Sequence, residues 1–350
     1  MPDKEQFSQT LLEWFDRSGR HDLPWQQDKT PYRVWVSEIM LQQTQVQTVI
    51  PYYERFMKAF PSVEALAQAT QEDVLSHWSG LGYYARGRNL LKTAKIVVED
   101  LQGEFPQDLE GVMALPGIGR STAGAILSIA CQQRHPILDG NVKRVLCRYD
   151  AVESWSGEKN TEITLWQRAD ELTPEHRFGD YTQAIMDLGA TLCTRSKPKC
   201  ELCPVQKNCQ AWLLDRVSDF PYAKPKKEKP VRETAMMIFL NEDRQVFLQQ
   251  RPQKGIWGGL WSLPEMIPGE LEDLIKSKVE SRCDKEFNLI KWPLFKHTFT
   301  HYHLMIHPFF LDEILSVQME GKWFTVSEAL TKGLPAPIRK LIKQLESSND

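Results

Sequence analysis

The chain has 350 residues, 41% hydrophobic and 25% charged, the proportions of a water-soluble globular protein of two domains or a little more. No apolar run approaches the length of a membrane span and Met1-Pro-Asp-Lys-Glu5 starts no signal peptide, so a cytoplasmic location without a membrane partner is expected. The net charge of −3 is evenly spread, with 29 Lys and Arg against 30 Asp and Glu through residue 232 and 14 against 16 after it, so any phosphate binding must come from a local patch or from backbone amides.

From Gln6 to about Trp212 apolar residues recur three and four apart, as in Phe7 to Phe15, Val34 to Phe56 and Val74 to Trp78. Glycine and proline punctuate the pattern at Gly80-Leu-Gly82, Gly103 and Pro116-Gly117, which predicts an all-α region of some ten short helices. Glu38 lies inside the apolar run Val34-Trp-Val-Ser-Glu-Ile-Met-Leu41. Burial there would raise its pKa toward general-acid use, while exposure would make it one more surface glutamate of an amphipathic helix.

The stretch Leu115-Pro-Gly-Ile-Gly-Arg-Ser-Thr-Ala-Gly124 lacks the G-K-[ST] of a P-loop and the G-x-G-x-x-G of a dinucleotide site. Helical patterns on both sides give it the form of a helix-hairpin-helix in which Gly117 and Gly119 can take positive φ. Amides near the second helix's N-terminus would then attract a phosphate; a plain helix–helix corner fits as well. Asp139, in His135-Pro-Ile-Leu-Asp-Gly-Asn-Val-Lys-Arg144, stands where an apolar run meets a turn and a helix begins, the place of an N-cap. Asn141, Lys143 and Arg144 beside it could touch phosphate or substrate. Two carboxylates of unequal environment suit cleavage of a glycosidic bond, one donating a proton and one facing an oxocarbenium-like centre.

Seven cysteines follow two patterns. Cys131, Cys147 and Cys283 sit among apolar neighbours as small buried hydrophobes. Cys193, Cys200, Cys203 and Cys209 fall within seventeen residues at intervals of six, two and five, a metal site before a disulfide framework. Zinc and an iron–sulfur cluster both fit the spacing: a single C-x-x-C is unlike most zinc ribbons, and Pro204 after Cys203 is a hint of a cluster ligand. Arg195, Lys197, Lys199 and Lys207 make the same loop positively charged.

Phe220 to Pro230 holds three prolines and four lysines in eleven residues, a linker composition. Beyond it Thr234 to Leu240 and Gln245 to Gln249 read as strands around a turn at Asn241-Glu-Asp-Arg244, and Leu304 to Leu311 and Gly321 to Thr325 as two more. Helical patterns at Leu271 to Val279 and Ile338 to Leu345 complete a small α+β domain. The expected organisation is an all-α region over 1–216, a linker over 217–232 and an α+β domain over 233–350.

In combination, and in this order, the hairpin LPGIGRSTAG, the aspartate of LDGNVKR and the C-x6-C-x2-C-x5-C cluster resemble the helix-hairpin-helix DNA glycosylases with a [4Fe–4S] cluster. Leu23-Pro-Trp25, Val34 to Gln45, Gly80-Leu-Gly-Tyr-Tyr-Ala-Arg86 and Met186-Asp-Leu-Gly-Ala190 make the chain similar, over nearly its whole length, to the MutY-type adenine glycosylases. The resemblance implies a monomer that removes adenine mispaired with 8-oxoguanine or guanine in double-stranded DNA, flipping the nucleotide out of the stack. It implies that Glu38 is the general acid, that Asp139 stabilises the oxocarbenium ion with support from Asn141 and Ser121, and that Cys193, Cys200, Cys203 and Cys209 hold one [4Fe–4S] cluster. Gln42 and Tyr83 would wedge into the duplex, and Gly117, Gly119, Arg120 and Lys143 would meet its backbone.

The C-terminal domain resembles a Nudix fold: Gly255 to Glu265 is similar to the opening of a Nudix box, while the metal-binding R-E-x-x-E-E is absent among the scattered acids of residues 270 to 286. By resemblance it recognises 8-oxoguanine through Phe299, Thr300 and His301, with Thr300 standing where many relatives have serine. A lyase of the endonuclease III type would need an amine nucleophile, and the family places its lysine where this chain has Ser121, so a monofunctional enzyme is expected. Lys143 is the nearby amine that could form a weak adduct. The presence of both Glu38 and Asp139 argues against a non-catalytic damage-binding protein. An electron carrier would have little use for a wedge or a second domain.

Overall fold

The computed structural model describes residues 4–224, 228–266, 279–281 and 289–347. The chain divides into two compact units, Met1–Gln68 with Asn89–Lys226, and Ala69–Arg88 with Lys227–Asp350. The helical region, continuous in sequence, thus lends residues 69–88 to the unit of the C-terminal strands. Periodicity shows that a helix has an apolar face but not which core that face joins.

Twelve α-helices lie in the described part of the helical region. They are α1 (Lys4–Ser18), α2 (Pro31–Leu41), α3 (Val46–Ala59), α4 (Val63–Gln68), α5 (Gln71–Trp78), α6 (Ala85–Glu99), α7 (Leu109–Ala114), α8 (Arg120–Ala130), α9 (Gly140–Tyr149), α10 (Lys159–Leu172), α11 (Phe178–Asp187) and α12 (Gln210–Leu213). Helix α5 belongs to the second unit, and the boundary falls within α6.

Thr30 caps α2 by accepting the Arg33 N–H at 3.3 Å, and Pro31 supplies a preset first turn. Tyr32, Val34, Trp35, Val36, Ser37, Ile39 and Met40 are all buried, so α2 is covered nearly all round, as a central helix must be. It packs against α8, whose residues from Ala123 to Ile129 are buried in turn. Asp187 is fully buried and accepts the Arg20 backbone N–H at 2.8 Å, the Arg20 guanidinium at 2.6 and 3.0 Å and the Gln183 amide at 2.8 Å. Cys147 is buried as expected; Cys131 is half-buried because it ends α8, and Cys283 lies outside the described residues. Phe220, at the start of the expected linker, is buried and its carbonyl accepts from Arg148 at 2.9 Å.

In the second unit β1 (Val231–Phe239) runs parallel to β8 (His303–Leu311), with Val231 opposite His303 and Phe239 opposite Leu311. β4 (Glu265–Met266) flanks β1, while β6 (Ile290–Lys291) and β7 (Phe295–Thr298) flank β8, all antiparallel. β10 (Lys322–Phe324), β2 (Val246–Gln250) and β3 (Trp261–Ser262) form a second sheet, and β5 (Val279–Ser281) pairs with β9 (Ile314–Val317). Helices α13 (Val326–Thr331) and α14 (Ala336–Ser347) follow. Met236, Ile238 and Leu240 share a core with Ile338, Leu341 and Ile342 of α14, while Ala235, Met237 and Phe239 face the other way onto Phe247 and Leu311. A strand buried on both faces reads as an unbroken apolar run, and that is the form of Thr234 to Leu240. The helix expected at Leu271 to Val279 and the acids of 270 to 286 lie outside the described residues, apart from 279–281, which form β5.

Removing the Asp187 carboxylate takes away the buried acceptor shared by the half-buried Arg20 and Gln183. Asp187→Ala is expected to cost about 3 kcal/mol, read as a lowered urea midpoint.

Candidate active site

Buried Ile137 and Leu138 draw the chain inward just before α9. Ser121, in the first turn of α8, accepts the Leu138 N–H at 3.0 Å, and a Cβ added at Gly124 would stand 2.7 Å from the Pro136 carbonyl oxygen, so the segment lies directly on α8. It delivers Asp139 to the N-terminus of α9, where Oδ1 accepts the Val142 N–H at 2.8 Å. Burial pushes the Asp139 carboxyl upward, and the Val142 and Asn141 amides with the Arg144 and Lys143 charges pull against it.

Glu38 comes from α2 and is the one ionisable side chain of Val34 to Leu41. Burial first, and then repulsion from the Asp139 carboxylate, push it up to about 8. The two acids therefore sense each other and differ in kind. Asp139 has helix-terminal amides that favour its anion, whereas Glu38 is held as the neutral acid near pH 7, an arrangement able to donate one proton and stabilise one cation.

The hairpin joins α7 to α8. Gly117 has φ +81°, the left-handed conformation expected of it. Gly119 does not: its φ is −92°, because it is the N-cap of α8 and an N-cap has extended backbone. A Cβ at Gly119 would meet nothing within 4 Å, so nothing inside this protein requires glycine there. Gln42 ends α2 and its Nε2 donates to Thr122 Oγ1 at 3.3 Å, beside the hairpin.

The nearby cations have partners within the chain. The Arg120 guanidinium lies 4.0 Å from the Trp166 ring centre, and Lys143 Nζ lies 2.6 Å from Glu162, both partners on α10. Arg144, which by sequence could touch phosphate or substrate, turns inward and donates to the Cys193 carbonyl at 2.7 Å, the Gly189 carbonyl at 2.6 Å and Asn141 Oδ1 at 2.8 Å.

Cys193, Cys200, Cys203 and Cys209 line one cavity with Val145, Leu188, Leu192 and Val205. Arg148, which the sequence reading passed over, is buried one turn after Arg144. It donates to Cys193 Sγ at 3.3 Å and to the Thr194 and Arg195 carbonyls at 2.7 and 3.1 Å. Four thiols around a largely apolar cavity, with a guanidinium against one sulfur, are a donor set that fits a thiolate-held cluster. Among the described residues no three His, Cys, Asp or Glu side chains converge on the position of a single ion.

The second unit carries the other candidates. Tyr83, at φ +49° and 48% exposed, projects from the turn between α5 and α6. Phe299 to Tyr302 close the β7–β8 hairpin, with the Phe299 N–H donating to the Tyr302 carbonyl at 2.9 Å and Thr300 and His301 exposed at the tip. The Phe299 ring lies 5.2 Å from that of Trp257, a contact the motif reading did not single out. Among the described residues no helix is long and apolar enough to cross a membrane.

The sequence model of HhH-GPD superfamily base excision DNA repair proteins matches residues 36–171, and that of the NUDIX domain matches residues 235–344. The chain is similar to the adenine DNA glycosylase of Buchnera aphidicola subsp. Schizaphis graminum, 39% identical over 96% of this chain and 98% of the relative. It is similar also to that of Homo sapiens, 33% identical over 96% of this chain and 73% of the relative. Among solved structures it resembles a thermostable thymine-DNA glycosylase, 27% identical with a TM-score of 0.55 over 60% of this chain and 97% of that one. A likeness to a non-covalent endonuclease III–DNA complex, 20% identical with a TM-score of 0.52 over 61% of this chain and 99% of that one, shows shared fold.

Ser121→Ala would leave the buried Leu138 N–H without its acceptor, at a cost of about 1–3 kcal/mol. The expected result is a lowered melting temperature and faster hydrogen exchange at the Leu138 amide.

Proposed function

On the premise that the chain belongs to the adenine DNA glycosylase family, we propose that it flips adenine out of mispairs with 8-oxoguanine or guanine and hydrolyses its glycosidic bond. The observation that carries this reading is the pair of unlike carboxyls, Glu38 pushed up to about 8 and Asp139 at the α9 N-terminus. The neutral Glu38 donates its proton to adenine N7. The C1′–N9 bond then breaks with its electron pair leaving on the base, and the Asp139 carboxylate stabilises the oxocarbenium ion. Water adds at C1′, and the proton it loses returns to the Glu38 carboxylate. Asn141 and Ser121 hold Asp139 in place, Asn141 through its backbone N–H and Ser121 through Leu138.

Position 121 offers a hydroxyl already accepting a hydrogen bond, and Lys143, the nearby amine, is paired with Glu162, which supports a monofunctional glycosylase. Gly117, Gly119, Arg120 and Lys143 form the backbone-gripping face, with Arg120 and Lys143 exchanging their internal partners for phosphate. Gln42 and Tyr83 serve as the wedge, and the exposed Thr300–His301 tip with Phe299 reads 8-oxoguanine. Cys193, Cys200, Cys203 and Cys209 would hold a [4Fe–4S] cluster, which when bound supplies a cross-link among four thiolates in the loop.

Two experiments test the reading. Because the acid form of Glu38 is the active one, single-turnover excision should hold steady up to about pH 8 and then fall roughly tenfold per pH unit, while Glu38→Gln binds duplex and releases no adenine. Turnover by Glu38→Gln near the wild-type rate would remove Glu38 from the role. Borohydride trapping on an A:8-oxoguanine duplex should give adduct far below base release; trapping equal to release would establish a lyase.

A further inference from the structure

Residues 69–88 lie in the same compact unit as the C-terminal strands, and the bonds responsible are specific. Buried Tyr84, next to Tyr83, donates its hydroxyl to the Leu334 carbonyl at 2.8 Å. Arg88, one turn on, donates to the Gly258 carbonyl at 2.7 Å. Around them Arg339 reaches Ser79 Oγ at 2.7 Å, Lys332 pairs with Glu72 at 2.8 Å and Gln71 donates to Gln253 at 2.8 Å.

The carbonyl that Arg88 grips adjoins Trp257. Trp257 is held at φ +57°, strained for a residue with a side chain, and its ring lies 5.2 Å from Phe299 and 5.6 Å from His297. Arg251 braces the same loop, donating to the Ile256 carbonyl at 3.1 Å. A short path thus leads from Tyr84, the chain neighbour of exposed Tyr83, whose carbonyl accepts the Arg88 N–H at 3.2 Å, through Arg88, Gly258, Trp257 and Phe299 to the hairpin tip at Thr300 and His301.

We propose that Tyr84 and Arg88 are positioning residues that fix the Tyr83 wedge relative to the Phe299–His301 tip, so that insertion into the duplex and reading of the opposite base occur as one docking event. Strand insertion is then part of recognising 8-oxoguanine rather than an accessory of the excision chemistry. This rests on the wedge and tip assignments of the preceding section.

The test uses the full-length protein and single-turnover adenine excision opposite 8-oxoguanine and opposite guanine, with 2-aminopurine fluorescence next to the mispair reporting insertion. Arg88→Met keeps the stem and removes the donors. It should slow excision opposite 8-oxoguanine roughly tenfold and opposite guanine by less than about twofold, with reduced insertion. Arg88→Lys, which keeps a charged donor, should recover most of the difference. Tyr84→Phe, which loses one oxygen, should shift the ratio in the same direction by a smaller factor and decides the matter if Arg88→Met does not fold. Combined with Phe299→Ala, Arg88→Met should be less than additive. Equal slowing on both mispairs, additivity, or an unchanged ratio in folded variants would overturn the proposal. A Phe299→Ala variant with wild-type preference would instead overturn the assignment of the tip.

Discussion

The first unit turns on the contrast between two carboxyls that sense each other: Glu38 is pushed up to about 8, while the upward push of burial on Asp139 is opposed by backbone amides. Burial alone cannot make this contrast, because it pushes both Glu38 and Asp139 upward. The difference comes from α9. Its first amides point at Asp139, and the end of the helix carries partial positive charge, which favours the anion there, whereas on Glu38 burial and repulsion both favour the neutral acid. The nearby structure serves that placement: Ser121 ties Leu138 down, Gly124 lets the segment lie on α8, and α2 brings Glu38 against the same helix. Helix α9 is held at depth too, since Arg144 and Arg148 fasten it to the backbone of the cysteine loop. The helix whose amides favour the Asp139 anion is thereby joined to the loop that would hold the cluster.

Much of this was legible in the letters. Glu38 stands out as one charge in an apolar run, and Asp139 as a capping residue where such a run meets a turn; both features have local causes. The run of helices and the four strands β1, β2, β8 and β10 were readable for the same reason, since periodicity is a property of neighbours in sequence. The short strands β3 to β7 and β9 and helix α13 were too brief to show a period. What escaped is non-local. Arg144 and Arg148 reach carbonyls 45 to 72 residues away, and a backbone acceptor has no side-chain signature by which sequence could announce it. The allegiance of residues 69–88 escaped likewise, because Tyr84 and Arg88 also end on carbonyls, at Leu334 and Gly258. Gly119 shows the converse error: its letter permits positive φ, yet the start of α8 dictates an extended backbone.

The way charge is used follows from the near-neutral composition. Arg120 and Lys143 are held by Trp166 and Glu162, and the chain carries no basic excess on either side of residue 232. On the proposed reading, the exposed Gly117 and Gly119 offer what the cations do not, backbone amides that meet a phosphate without a side chain first leaving its partner. The open space over Gly119 keeps that approach free of a side chain.

The β7–β8 hairpin separates its frame from its message. Thr298 pairs with His303 and the Phe299 N–H with the Tyr302 carbonyl, so the closure is complete beneath the last two residues. Thr300 and His301 are exposed, and of the two only His301 touches the frame, its ring lying 4.8 Å from that of the buried Tyr302. Evolution can therefore rewrite these two letters at little cost to folding while the excision machinery stays as it is. On the proposed reading of the tip, the methyl group at Thr300 is the kind of edit such a hairpin admits, and the tip is where adaptation to a different lesion would begin.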